Sequence, residues 1–264
     1  MKIAVLNSGG LDSLILSHYA NITRPDAEIV ECFYNIGQES IQAEEFAVIQ
    51  HMKATSAKVQ RRKVDWLNDE IQPMEFDKQT GPVHIPARNA VFLLLAAAQE
   101  LPDEVWLGAN YSEFQGVEKA DKSWPFVKIM NGLLQYTLTH YKNPPPQVRV
   151  PFVEDKLTKR DAVQWAIEQG MDEERLINAT SCWHEGWCGN CWQCVRSWCI
   201  FYWLGLEDGM EKFKIHPMNS PKMKPVIAQW LKEGTNHYYE VEHEMLEPIQ
   251  LWMRKNNIPL DHFS

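Results

Sequence analysis

The chain opens on KIAVLN (Lys2 to Asn7), an apolar run of the kind that fills a central strand of a parallel sheet. Further strands are predicted at EIVECFY (Glu28 to Tyr34), AKVQRRKVDW ending near Asp65, DEVWLGAN ending at Gly108 and Asn110, and VRVPF. Between them the apolar spacing becomes helical. Helices are predicted from Leu11 to about Ile22, over SIQAEEFAVIQHM, and over PARNAVFLLLAAAQEL with Pro86 in its first turn. Another covers LTKRDAVQWAIEQG, with Thr158 as N-cap and Gly170 as C-cap. Strands alternating with helices predict an α/β fold with an open, mostly parallel, doubly wound, Rossmann-like sheet. Ligands of such sheets bind outside the carboxyl ends of the strands. NSGGLDS, Tyr34, Asp65 and Asn110 all map to that edge.

From about Thr180 the pattern changes to a Cys- and Trp-rich knot and then a largely helical tail. We expect residues 1–180 to form the α/β domain and 181–264 a helical C-terminal region packed on it. In the tail, KMKPVIAQWLKEG and YYEVEHEMLEPIQLWMRKNN carry apolar residues at helical intervals. Trp230, Leu231, Tyr238, Tyr239, Leu246, Leu251 and Trp252 are too many large apolar groups for a freely solvated appendage. Packing onto the core is the first expectation. An interface, to a second copy or to a protein that receives an activated group, is the alternative.

The 264 residues carry a net charge of −9 and an estimated pI of 5.5. That balance argues against a nucleic-acid partner, which would leave a basic footprint. The longest apolar run, AVFLLLAAA (Ala90 to Ala98), is too short to cross a bilayer. No charged-then-apolar leader precedes KIAVLN, so a cytoplasmic protein without membrane contact is expected.

NSGGLDS (Asn7 to Ser13) follows the first strand directly. Gly permits the close approach and unusual φ that a phosphate-binding loop needs, and a helix N-terminus behind it adds its positive end. Ser8 and Ser13 can donate to phosphate oxygens, while Asp12 can hold Mg2+ or orient the loop. The pattern matches neither of the common nucleotide fingerprints. Even so, S-G-G-x-D-S arises by chance in this length with a probability on the order of 10⁻³ or below at average residue usage. A purely structural turn is the competing reading.

Five of the six cysteines fall within eighteen residues. CWHEGWCGNCWQC sets Cys182, Cys188, Cys191 and Cys194 with five, two and two residues between them, a spacing that suits one tetrahedral ion. A closed four-thiolate Zn2+ site of structural type is expected, with Cys199 a helix-buried thiol. An iron–sulfur cluster is the rival, and His184 is an alternative ligand.

VLNSGGLDS resembles the loop of the PP-loop ATP pyrophosphatases, enzymes that attack ATP at the α-phosphate and release pyrophosphate. Loop and cysteines together resemble the 7-cyano-7-deazaguanine synthase family (QueC-like). That resemblance implies an ATP-dependent carbon–nitrogen ligase. It would convert a 7-deazaguanine carboxylate, 7-carboxy-7-deazaguanine, to the nitrile through an amide, with ammonia as nitrogen source. FYNIGQESIQAEE is similar to the family's stretch after the second strand and carries over Tyr34, Gly37, Gln38 and Glu44. IPARNAVFLLLAAA places Arg88 and Asn89 near the nucleotide. GANYSEFQGVEKADKSWPFVKIMN implicates Phe114, Gly116, Asp121 and Lys122 in holding the deazaguanine. VPFVEDKLTKRDAV supplies Lys159 and Asp161, and TSCWHEGWCGNCWQCVR ends in Arg196. The implied catalytic set is Ser8, Asp12, Ser13 and Lys159. The implied nucleotide contacts are Ser8, Gly9, Gly10, Leu11, Asp12, Ser13, Arg88, Asn89 and Gly108. A homodimer is expected.

The chain also departs from the family pattern. The histidine that usually follows Gly-Gln is replaced by the neighbourhood of Glu39 and Ser40. The substrate segment is longer and lacks Asp-Cys-Arg, the step from Cys182 to Cys188 is short, and nearly seventy residues follow Arg196. QueC-like relatives in antiviral systems depart comparably, and they imply a protein amine as the alternative acceptor. Sulfur transfer to tRNA and a zinc-stapled nucleotide-binding scaffold without turnover are the remaining readings.

Overall fold

Lys2–Leu6 forms β1, in a computed structural model that describes residues 1–37, 40–55, 57–64, 74–75, 83–84, 87–115, 121–182, 184, 186–206, 211–234 and 245–263. Leu11–Thr23 (α1), Glu28–Asn35 (β2), Ile41–Thr55 (α2) and Lys58–Lys63 (β3) follow. Met74–Glu75 (β4) and Val83–His84 (β5) make a small antiparallel pair absent from the sequence expectation. Arg88–Glu100 (α3), Glu104–Trp106 (β6), Tyr111–Gln115 (α4), Trp124–Leu138 (α5) and Gln147–Arg149 (β7) complete the α/β alternation.

The five expected strands form one sheet in the order β3-β2-β1-β6-β7, and each neighbouring pair is parallel. Two strand ends differ from expectation. The sheet pairing of β6 stops at Trp106, after which Ala109 N–H donates to Leu107 O at 2.9 Å and the chain turns into α4. β7 stops at Arg149 because Pro151 opens a short helix, Pro151–Glu154 (α6), where a missing N–H costs nothing. Edge strand β3, KVQRRK, is mostly exposed, and its cations discourage pairing with another chain.

Lys159–Glu168 (α7) begins at Thr158, which closes a capping box with Asp161. Asp161, implicated by the resemblance, is therefore occupied in capping. Gly170 sits just past the C-cap with φ 77°, the left-handed turn that glycine adopts without strain. Glu173–Asn178 (α8) follows. Ile3, Val5 and Trp106 face one side of the sheet and pack on α1 and α7 through Leu11, Leu14, Ala162 and Val163. Ala4, Leu6, Val30 and Val105 face the other and pack on α3 and α5 through Leu93, Val127 and Met130. The sheet is thus doubly wound.

Trp192–Leu204 (α9), a 3-10 turn at Pro217–Asn219, Lys224–Glu233 (α10), Leu246–Asn256 (α11) and a 3-10 turn at Leu260–Phe263 form the tail. Trp230, Leu246, Ile249, Met253 and Phe263 are buried in the same cluster as Ile3, Val5 and Trp198, so these groups pack on the core. Leu231 and Trp252 lie partly buried against it, whereas Leu251 is exposed. Tyr238 and Tyr239 lie outside the described residues. Cys199 is fully buried in α9, as expected, and its thiol reaches Met245 O at 3.6 Å. No described helix is long and apolar enough to cross a membrane.

Candidate functional site

With strand order reversing between β1 and β6, the switch point of the sheet lies where the residues after Leu6 and Trp106 emerge. Gly9 stands there at φ 72°, and a Cβ on it would lie 2.5 Å from the backbone oxygen of Glu44 in α2. Its own carbonyl accepts from Thr180 N at 3.0 Å. Gly108 lets the end of β6 close on the first turn of α1, since a Cβ there would meet Ser13 Cα at 3.3 Å.

Inside the loop, Ser13 Oγ donates to Gly10 O at 2.9 Å and accepts from Ser8 N at 3.1 Å, with Ser8 Oγ 3.2 Å away. Leu11 N reaches Ser181 Oγ at 3.4 Å. Asn7 Oδ1 accepts from Gly9 N at 2.9 Å and lies 3.3 Å from Ser13 Oγ. Gly10, at the N-cap of α1, offers no side chain to the N–H groups beyond Leu11, and their polarity suits an anion.

Asp12 accepts from Lys159 Nζ at 2.9 Å and from Asn110 Nδ2 at 3.5 Å. Lys159 is 1% exposed. Behind this pair Glu113 of α4 is buried between Lys122 Nζ at 2.9 Å and Arg196 Nη1 at 3.3 Å. Arg196 also donates to Asn110 Oδ1 at 3.4 Å. Burial would push the Glu113 carboxyl up, but Lys122, Arg196 and Lys159 together hold it down to about 2. Among the described residues, Lys159, Lys122 and Arg196 gather around Asp12 and Glu113 beside the loop, and cations placed there favour a negative ligand.

Phe114 lies edge-on to Trp124, with ring centroids 5.6 Å apart, beside Glu113. Lys122 reaches Glu113, and the half-buried Asp121 precedes it in the chain. Arg88 and Asn89 open α3, which runs back along the sheet towards β6, so both stand at its carboxyl edge. Gly37 lies at φ 77° just after β2, its N–H donating to Asn35 Oδ1 at 2.9 Å. Tyr34 is buried on the α3 side of the sheet, in the cluster that Phe114 also packs against, stacked on Phe92 and donating to Gln99 Oε1 at 3.3 Å. Gln38, Gly116, Asp65 and Pro86 lie outside the described residues.

At the knot, the sulfurs of Cys182, Cys188, Cys191 and Cys194 all lie within 4.8 Å of one another. Cys182 and Cys191 are 4.0 Å apart, and Cys188 and Cys194 3.8 Å. A tetrahedral ion with metal–sulfur bonds of about 2.3 Å spaces its sulfurs about 3.8 Å apart. The thiol set therefore fits one shared ion. In a 4Fe–4S cluster each of four thiolates takes a different iron, which asks for wider spacing. His184 is not part of the group. Gly189, at φ 74°, faces the tail so closely that a Cβ would lie 1.7 Å from Ile215 O. Arg196 follows Cys194 by two residues in α9, so the knot sets the entry of that guanidinium into the site.

Residues that the sequence reading did not single out complete the arrangement. Glu113 lies in GANYSEFQG, where no neighbouring residue sets it apart in sequence. Glu31 of β2 is fully buried and accepts from Asn7 Nδ2 at 2.6 Å. A carboxylate in the middle of an otherwise apolar central strand was the signal that could have exposed it.

A parallel switch-point sheet, a glycine loop leading into a helix and a four-thiol knot define a PP-loop-type nucleotide-binding protein. The family described as "Queuosine biosynthesis protein QueC" matches residues 2–198. The chain belongs to that QueC family. It is 26% identical over 224 residues to the 7-cyano-7-deazaguanine synthase of Thermoplasma acidophilum, covering 80% of this chain and 91% of that one. The enzyme of the same name from Chlorobium phaeobacteroides is 26% identical over 237 residues, covering 82% and 99%. Among solved structures, the U34-tRNA thiolase NcsA from Methanococcus maripaludis with its 4Fe-4S cluster matches at 16% identity and a TM-score of 0.45. That match covers 65% of this chain and 58% of the thiolase, a likeness too loose to bear on the metal.

Proposed function

We propose that the chain spends ATP, accompanied by Mg2+, to activate the carboxylate of a 7-deazaguanine acid and couple it to nitrogen. The observation that carries this reading is the QueC match over residues 2–198, a span that contains both the glycine loop and Lys159. A carboxylate oxygen of the substrate attacks the α-phosphorus of ATP, the bond to the β-phosphate oxygen breaks, and pyrophosphate leaves. The nitrogen lone pair then attacks the acyl carbon and AMP departs with the oxygen, giving the amide. A second adenylation, on the amide oxygen, followed by loss of AMP and protons gives the nitrile.

Ser8 to Ser13 and the N-terminus of α1 cradle the phosphates. Lys159 meets the charge that develops on the leaving pyrophosphate. Asp12, already engaged by Lys159 and Asn110, serves to orient the loop and Lys159 rather than to bind metal. Arg88, Asn89 and Gly108 border the nucleotide, and Gln38, Phe114, Gly116, Asp121 and Lys122 border the deazapurine. One Zn2+ on Cys182, Cys188, Cys191 and Cys194 supplies structure, tying the start of α9 so that Arg196 reaches Glu113.

The test is mass spectrometry of products from ATP, 7-carboxy-7-deazaguanine and ammonia. AMP, pyrophosphate and the deazaguanine amide or nitrile are expected. ADP and phosphate would sink the assignment. Replacing ammonia with candidate partner proteins separates a small nitrogen donor from a protein amine.

A further inference from the structure

Behind the glycine loop runs a chain of buried polar groups that the chemistry proposed above does not use. Arg175 of α8 lies with Nη2 2.8 Å from His51 Nδ1 in α2. His51 Nε2 lies 2.7 Å from Glu31 Oε1 in β2. The other oxygen of Glu31 takes Asn7 Nδ2 at 2.6 Å. His51 is 2% exposed, Glu31 0% and Asn7 1%.

Each link has one permitted direction. A guanidinium only donates, so His51 Nδ1 must offer its lone pair and Nε2 must carry the proton. Nε2–H then donates to Glu31. Because Glu31 only accepts, Asn7 must turn its amide nitrogen towards it and its Oδ1 towards the loop. That orientation is the one in which Asn7 Oδ1 accepts from Gly9 N–H at 2.9 Å, with Ser13 Oγ 3.3 Å away. Turned the other way, Asn7 would set an oxygen against a carboxylate and a nitrogen against the Gly9 N–H.

We propose that Glu31, His51 and Arg175 are positioning residues that act through Asn7 to hold the glycine loop in its nucleotide-binding shape. The inference rests on the ATP-activating reading. It has a consequence that packing alone does not share. In Glu31→Gln the new amide must give its oxygen to Asn7, which leaves its NH2 facing His51 Nε2–H. His51 cannot move its proton to Nδ1, since Arg175 donates there. Removing that donor frees Nδ1 for the proton and lets Nε2 accept from the new amide. Arg175→Met should therefore repair Glu31→Gln.

The experiment measures ATP–pyrophosphate exchange on the full chain with 7-carboxy-7-deazaguanine, with thermal melting and zinc content as folding controls. Losing one hydrogen bond to a charged group predicts that Glu31→Gln raises KM for ATP about tenfold, with kcat changed far less. Adding Arg175→Met should bring KM back towards wild type. If KM stays within about twofold in Glu31→Gln, or the double variant is worse than the single one, the relay is overturned. Should Glu31→Gln fail to fold, Arg175→Met alone carries the test, because Arg175 is only half-buried at the far end of the chain. A rise in KM of about threefold at unchanged kcat supports the relay, and an unmoved KM overturns it. Wild-type protein that exchanges no pyrophosphate would instead sink the ATP reading, and this inference with it.

Discussion

Replacing Glu113 with Gln keeps the shape of the side chain and removes one buried charge. Arg196, whose side chain is 2% exposed, then loses the carboxylate 3.3 Å away, and Lys122 loses the one at 2.9 Å. The carboxyl of Glu113 is held at about 2 against an ordinary 4.5, because the three cations around it outweigh its burial. At 1.36 kcal/mol per pKa unit this is worth about 3 kcal/mol. That agrees with the roughly 3–5 kcal/mol lost when one partner of a buried ion pair is removed. A depressed folded-state value stabilises the fold above the unfolded value and ceases to do so as pH falls through the folded one. The contribution is therefore complete near neutrality and fades from about pH 5 to pH 2. Urea unfolding followed by circular dichroism should show Glu113→Gln about 3 kcal/mol less stable than wild type at pH 7, with less than half that gap at pH 3. Any metal lost from the four-thiol knot in acid is lost from both proteins and cancels in the difference. A gap under about 1 kcal/mol at pH 7, or one that does not shrink in acid, would refute the reasoning.

Gly9→Ala should abolish ATP–pyrophosphate exchange while leaving a folded protein, since its Cβ meets backbone at 2.5 Å in a left-handed conformation. Retained exchange with unchanged KM would show that the loop tolerates another shape. Colourless purified protein should hold about one zinc per chain, and Cys191→Ser should melt early or precipitate. Iron with labile sulfide would overturn the single-ion reading of the knot. Truncation after Asn219 should give insoluble protein, because it removes Trp230, Ile249 and Phe263 from the cluster that includes Ile3 and Val5. Each such buried side chain contributes roughly 1.5–3 kcal/mol, so soluble, exchange-competent truncated protein would show that the tail is dispensable to the core.

Most of the α/β frame was legible because its signals are local. β1, β2 and β3 announce themselves as short β-rich runs, and Thr158 and Gly170 bracket α7 with the residues that helix ends demand. α5 was passed over although Ser123 caps it and Pro125 lies in its first turn. Trp124, Ile129, Leu133 and Tyr136 are exposed along that helix, which blurs the contrast between its faces. The ends of β6 and β7 were read too long because the apolar pattern continues past Trp106 and Arg149 into turns and the Pro151 helix.

The site divides in the same way. SGGLDS and the four cysteines are contiguous motifs, so sequence spacing alone brings their groups together. The shape of the loop is decided from far away. Glu44 O closes on Gly9 from α2, Thr180 N holds the Gly9 carbonyl from beyond α8, and Glu31 turns Asn7 from β2. None of these contacts follows from the motif. Glu31 and His51 are 20 positions apart and His51 and Arg175 124, beyond any helical or strand periodicity. A chain could carry SGGLDS intact and still lose the loop's geometry through a change in any of those three segments. Departures outside the motif in this chain therefore bear on its chemistry as directly as departures within it.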